Sequence, residues 1–215
     1  MNTIKTLFIE NEIDILDFDL EIWHHAQTIE IKRYWSGVEA EIERRAIAKI
    51  IWTNKSLYIR FDAAQFEPLV VNQNPNLAGK TDKLWENDVC EIFIAPNTNE
   101  PERYYEFEIA PTGEWIDLAI HQLPDSRETD SHYHSGMKTS AKIEENSVVM
   151  ICKINWWQAF GRVPQDGEKW PVNLFRCVGR GENRGFLAWQ PTLTEKPNFH
   201  VPQVFGWLEF VRTKV

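Results

Sequence analysis

Apolar residues along this chain recur at every second position in short runs, and turn residues separate the runs. The cleanest example is Tyr104-Tyr105-Glu106-Phe107-Glu108-Ile109, where alternation points Tyr105, Phe107 and Ile109 one way and Tyr104, Glu106 and Glu108 the other. Arg45 to Trp52 and Leu57 to Asp62 flank the turn Thr53 to Ser56, which predicts a hairpin. Met137 to Ile143 and Ser147 to Ile154 flank Glu144-Glu145-Asn146 and predict a second. Further strands are expected at Asp88 to Ala95, Arg103 to Ala110, Glu114 to Ile120, Trp170 to Arg180, Phe186 to Trp189 and Gly206 to Arg212. Helical periodicity is confined to Trp156 to Phe160, with Asn155 as N-cap and Gly161 at the end. Three long loops remain: Ala63 to Leu84, His121 to Gly136 and Gln190 to Val204. Loops of that length in a compact domain commonly carry function.

Many short strands with turns between them predict an all-β fold, a β-sandwich or jelly roll of antiparallel strands with long loops and at most short helical turns. No repeat or low-complexity linker divides the chain, so residues 1–215 are read as a single domain. All-β domains of roughly 200–250 residues are common. A net charge of −9 and the lack of a basic patch exclude nucleic acid as an expected partner. No apolar stretch is long enough to span a bilayer as a helix. The first residues lack the apolar core of a secretory signal, which predicts a cytoplasmic protein, the alternative being a secreted or periplasmic one whose leader was removed. Cys90, Cys152 and Cys177 all sit in apolar runs and read as buried free thiols. The outlying number is ten tryptophans. Tryptophan suits both cores and stacking sites, because it has a broad apolar face and one donor.

The segment Leu84-Trp85-Glu86-Asn87-Asp88-Val89-Cys90-Glu91-Ile92-Phe93-Ile94 concentrates the candidate chemistry. Trp85 ends a polar loop just before a strand. Alternation sends Cys90, Ile92 and Ile94 to a core face and places Glu91 on the less apolar one. If this strand pairs with Arg103 to Ala110, then Glu91, Glu106 and Glu108 share a face. Carboxylates beside an aromatic plate suit a sugar, whose hydroxyls need acceptors and whose ring C–H face needs a flat apolar surface.

Trp85 to Ile94, Tyr104 to Phe107, Leu187 to Thr192, Asn198 to Pro202 and Phe205-Gly206, in that order, resemble the family 9 carbohydrate-binding modules and their DOMON-related sandwich relatives over about Asp17 to Phe210. The resemblance implies a sandwich that clamps a sugar ring between two tryptophans, here Trp85 and Trp189. It implies Glu91 as an acceptor for ring hydroxyls, with Asn87, Glu106 and Glu108 as further polar contacts. The implied partner is a mono- or oligosaccharide and the implied role is non-catalytic. No cofactor is fixed. Some members hold structural calcium, but no metal ligands can be assigned, and the oligomeric state is left open.

Other readings compete at each position. Alternating glutamates commonly form a solvated strand face. The remaining eight tryptophans are expected to pack. His200 is expected to cap backbone and fix its loop, and His24, His25, His132 and His134 to be solvated. Arg176, Arg180 and Arg184 are expected to pair with carboxylates. A glycoside-processing enzyme would need two carboxylates at a set separation. A haem-binding electron-transfer domain of related fold would draw on Met137, His134 or Met150.

Overall fold

A computed structural model describes residues 2–212. Its strands are β1 (Thr3–Phe8), β2 (Ile29–Ile31), β3 (Arg33–Tyr34), β4 (Ala46–Trp52), β5 (Ser56–Ala64), β6 (Val89–Ile94) and β7 (Arg103–Ile109). They continue as β8 (Trp115–Gln122), β9 (Arg127–Asp130), β10 (Lys138–Ile143), β11 (Ser147–Asn155), β12 (Lys169–Val178), β13 (Gly185–Ala188) and β14 (Gly206–Val211). Two short helices, α1 (Ile22–His25) and α2 (Trp156–Phe160), complete the regular structure with a few 3-10 turns. The fold is the expected β-sandwich, made by one continuous sheet curling over itself. Its path runs β10-β11-β5-β4-β1-β14-β12-β6-β7-β8-β9, with β13 on β12 and β2 on β4.

Both predicted hairpins are present, β4 with β5 and β10 with β11. The helical turn is capped as expected. Asn155 Oδ1 accepts from the Trp157 and Gln158 amides, and Gly161 closes the turn at φ +66°. Two features depart from the expectation. Strand β1 runs parallel to both its neighbours, β14 and β4, so the sheet is not wholly antiparallel. The loop His121 to Gly136 contains β9, whose four residues are all exposed and carry no apolar alternation.

The sheet is buried on both sides over much of its area. Between the two halves lies the main core, with Trp52, Ile59 and Phe61 from one half and Ile92, Ile94, Phe107 and Leu174 from the other. A second cluster covers the outward face of β6, β7, β8, β12 and β13. It comprises Phe93, Tyr104, Leu118, Phe175 and Ala188, capped by Phe199 and Phe205 from the last long loop. The strands feeding both clusters carry apolar residues on both faces, as strands buried on two sides do. Trp23, Trp52, Trp115, Trp156 and Trp170 are buried, as the packing reading requires, whereas Trp157 is 67% exposed on α2. The three cysteines are buried and free. No helix among the described residues is long and apolar enough to cross a membrane.

Candidate functional site

Strand register brings three acidic residues together on the outward face. Glu91 of β6 lies opposite Glu108 of β7, and Phe93 lies opposite Glu106. One carboxylate oxygen from each of Glu91, Glu106 and Glu108 lies within 4.8 Å of the others. These are not the residues of a solvated face: Glu91 is 2%, Glu106 4% and Glu108 0% exposed. The second cluster covers most of their surface, so the expectation of an exposed acidic row fails there. Burial, reinforced by the Glu106 charge, raises the Glu91 pKa well above the usual carboxylate range. Burial and then the Glu91 and Glu106 charges do the same to Glu108, and burial raises Glu106 to about 6. Glu106 Oε2 and both Glu108 oxygens have no donor within the protein. The Glu106–Glu108 contact becomes a hydrogen bond only when one of them carries a proton.

Glu91 and Glu106 open onto a cavity of about 470 Å³, also lined by Trp85, Arg127, Phe186, Phe199 and His200. Trp85 sits at its rim, 38% exposed, on the 3-10 turn Leu84–Glu86. That turn starts from Lys83 in the left-handed region (φ 56°), and buried Leu84 roots it in the second cluster. Arg184 stitches the turn to the sheet. Its guanidinium donates to the Trp85 carbonyl, to the Glu86 carbonyl at 2.9 Å, to Asn87 at 3.0 Å and to Gly179 at 3.1 Å. The expected carboxylate pairing is thus replaced by backbone bonding. Arg176 likewise donates to the Arg45 and Ala64 carbonyls and to Gln65 Oε1 rather than to a carboxylate.

His200 belongs to the site and does more than fix its loop. Its Nδ1 is 2.8 Å from the Tyr104 hydroxyl and its ring lies beside Phe93. Burial and the charge of Arg127 lower its pKa to about 3, while burial raises that of Tyr104. With the phenol donating to Nδ1, the neutral imidazole carries its proton on Nε2. This adds a donor to a wall of acceptors. Phe199, next to it, stacks on Phe175 with ring centres 4.1 Å apart and holds the loop over the sheet.

Of the six sequence-derived candidates, Trp85, Glu91 and Glu106 line one cavity. Glu108 lies behind them as the third member of the acidic trio. Asn87 contributes its carbonyl to Arg184 at the base of the Trp85 turn. Trp189 is the correction. Alternation along β13 and the residue after it sends Phe186 and Ala188 to the outward cluster and Leu187 and Trp189 to the main core. Trp189 packs edge-on over Gly206 and borders a separate cleft with Gln27 and Arg33. The two-tryptophan clamp is therefore not formed by Trp85 and Trp189. The aromatic residues that share the cavity with Trp85 are Phe186, Phe199 and His200, and Phe186, three residues before Trp189, faces the opposite way by that same alternation.

The haem alternative fails on geometry: Met137 and Met150 are sealed in the main core, and His134 stacks on Trp115. As for structural calcium, the acidic trio is the one cluster of at least three ligating side chains found among the described residues. Another oxygen-rich spot is filled by the chain itself. The Lys80 ammonium pairs with buried Asp117 and bonds the carbonyls of Asp117, Ser131 and Tyr133.

A buried polar floor beneath an exposed aromatic plate, on one face of a β-sandwich, defines a carbohydrate-binding class of domain. A sequence model described as "Carbohydrate family 9 binding domain-like" matches residues 18–213, and the chain belongs to that family. It is 23% identical over 209 residues to endo-1,4-beta-xylanase A of Thermotoga neapolitana, covering 96% of this chain but only 17% of the xylanase. It is also 23% identical over 177 residues to an extracellular protein of Arthroderma benhamiae, covering 76% of this chain and 77% of that protein. Among solved structures, a protein of Bacteroides uniformis superposes with a TM-score of 0.76 at 18% identity, over 97% of this chain and 98% of that one. A family 9 carbohydrate-binding module of Caldicellulosiruptor kristjanssonii, solved with glucose, gives 0.69 at 14% identity over 99% and 97%. The same organism's module with cellotriose gives 0.70 at 14% identity over 99% and 95%.

Proposed function

We propose that the cavity between Trp85 and the acidic trio binds one ring of a glucose-type sugar or the end of a β-1,4-linked chain, without cleaving it. The observation that carries this reading is the pairing, in one cavity, of a rim tryptophan with two buried carboxylates, Glu91 and Glu106, the second of which has an oxygen without a donor. A pyranose laid on the indole places its C–H face against carbon and its hydroxyls toward Glu91 and Glu106, while the Nε2 proton of His200 serves a ring or hydroxyl oxygen. The glucose and cellotriose held by modules of the same fold support the ligand class. A non-catalytic role is supported by the disposition of the acids. Their oxygens crowd within 4.8 Å on one wall, whereas a glycosidase sets its pair on either side of the scissile bond.

Titration calorimetry with glucose, cellobiose and cellotriose tests the reading. Wild type is expected to bind at least one of them, and Trp85→Ala to weaken that binding by about tenfold or more, or about 1.4 kcal/mol, with an unchanged melting temperature. The absence of heat with all three, or an unaffected Trp85→Ala variant, would overturn it. Turnover of aryl glycosides by the pure protein would show instead that the acids cleave.

A further inference from the structure

Three carboxylates that approach this closely cannot all stay ionised in a dry site unless a cation joins them. No side chain of the described residues does so by direct contact. Among the described residues no lysine, arginine or histidine forms an ion pair with Glu91, Glu106 or Glu108. The charge of Arg184 reaches Glu91 and Glu108 from a distance, but the hydrogen bonds of its guanidinium go to four backbone carbonyls. Arg127 lines the cavity as an exposed residue. A second observation concerns hydrogen bonding rather than charge. Glu108, fully buried, has two oxygens without donors and brings one oxygen into the cluster, and Glu106 adds a third orphaned oxygen. Orphaned acceptors at that depth are costly unless something not belonging to the chain satisfies them.

We propose that Glu91, Glu106 and Glu108 hold a hard divalent cation of the calcium class at the floor of the cavity, and that the sugar hydroxyls complete its coordination shell. The donor set is all oxygen, which selects calcium-like over soft metals. The spacing fits: ligands on opposite sides of an ion with bonds of about 2.3–2.6 Å lie about 5 Å apart at most, and the three oxygens lie within 4.8 Å of one another. Three side-chain oxygens leave at least three positions of a shell of about six to eight open. Glu91 and Glu106 both face the cavity, so the open positions point where the ring on Trp85 presents its hydroxyls. This rests on the sugar reading above and deepens it, by making recognition depend on a pair of adjacent hydroxyls that can reach one ion.

The test uses protein stripped with EDTA and exchanged into metal-free buffer. Calcium, magnesium and manganese chlorides are titrated separately by calorimetry, followed by cellotriose with and without the ion. One ion per chain is expected, with binding weakened about tenfold or more in Glu108→Gln and Glu91→Gln. Cellotriose affinity should rise about tenfold or more with the ion and fall back on adding EDTA. Because the chelator arm uses wild type, it stands even if a variant misfolds. Sugar binding that ignores EDTA, or ion binding that survives both substitutions, overturns the cation proposal and leaves the sugar reading intact. An ion bound through the glutamates with no sugar bound in its presence overturns the sugar reading.

Discussion

At the residue scale, the two tryptophans singled out by sequence separate into two jobs, and substitution tells them apart. Trp85 projects from a turn whose fold depends on Leu84 and Arg184, not on the indole itself, so its removal should cost affinity and little stability. Trp189 packs on the main core, and a methyl group at residue 206 would overlap its ring and fall 2.7 Å from the Asn2 carbonyl. Trp189→Ala is expected to lower stability by about 2–3 kcal/mol and to leave cellotriose affinity within about threefold. Gly206→Ala should cost about 1–3 kcal/mol by overpacking. Thermal melts paired with calorimetry check all three. A Trp189→Ala protein that melts like wild type but no longer binds sugar would restore the two-tryptophan clamp. The acidic trio was legible in the sequence because period two and one assumed strand pairing placed it on a face. Its burial was not legible. Glutamate on an alternating strand is ordinarily wet, and only the long loop carrying Phe199 and Phe205, folding back from more than 80 residues away, seals that face.

At the scale of elements, the strands read from alternation lie where expected, because each hairpin carries its own turn signal. The misses are segments whose pairing is long-range. Strand β1 gains its place by joining β14, at the other end of the chain, and β4, and β9 offers four polar residues that pair with β8. In the segment after β1, one carboxylate clasps the neighbouring strands. Glu12 accepts from Thr53, from Ser56 Oγ at 2.9 Å and from the Tyr58 hydroxyl at 2.9 Å, and it pairs with Lys153 at 2.7 Å. Partial burial raises its pKa, but Lys153 and the three hydroxyls together outweigh that and lower it to about 2. A carboxylate with a lowered folded pKa contributes stability above its unfolded value of about 4.5 and loses it as pH falls toward about 2. Discounted for exposure, the clasp is worth about 1 kcal/mol. Glu12→Gln should therefore melt about 2–4 °C below wild type at pH 7, and the gap should close between pH 4.5 and 2. A gap that persists at pH 2 would assign the loss to something other than the carboxylate charge. The turn that carries Trp85 gives a parallel test. Arg184→Ala removes three carbonyl bonds from its base and the one that ties it to Gly179, and is expected to weaken cellotriose binding severalfold although Arg184 is not among the residues lining the cavity.

At the scale of the whole molecule, one sheet serves two cores, and this decides whether the binding face is an independent layer or part of a single cooperative unit. Strand β6 sends Ile92 inward and Phe93 outward, and β12 does the same with Leu174 and Phe175. Strands β6, β7, β12 and β13 therefore cannot unfold without opening the main core. The two clusters also differ in how they are closed. The inner one is enclosed by the curl of the sheet, while the outer one depends on loop residues Phe199 and Phe205. If shared strands dominate, heat should melt the chain in one transition whose calorimetric and van't Hoff enthalpies agree. Two matched substitutions probe this. Ile92→Val removes a methylene from the inner core and Ile116→Val removes one from the outer, and each residue is at most 3% exposed. Each should cost about 0.5–1.5 kcal/mol, which shifts the melting temperature of a chain this size by about 1–6 °C. Both should move the same single peak by similar amounts. A scan that splits, with Ile116→Val shifting only an earlier peak, would make the outer layer a separate unit, one that opens around its sugar while the inner sandwich stays folded.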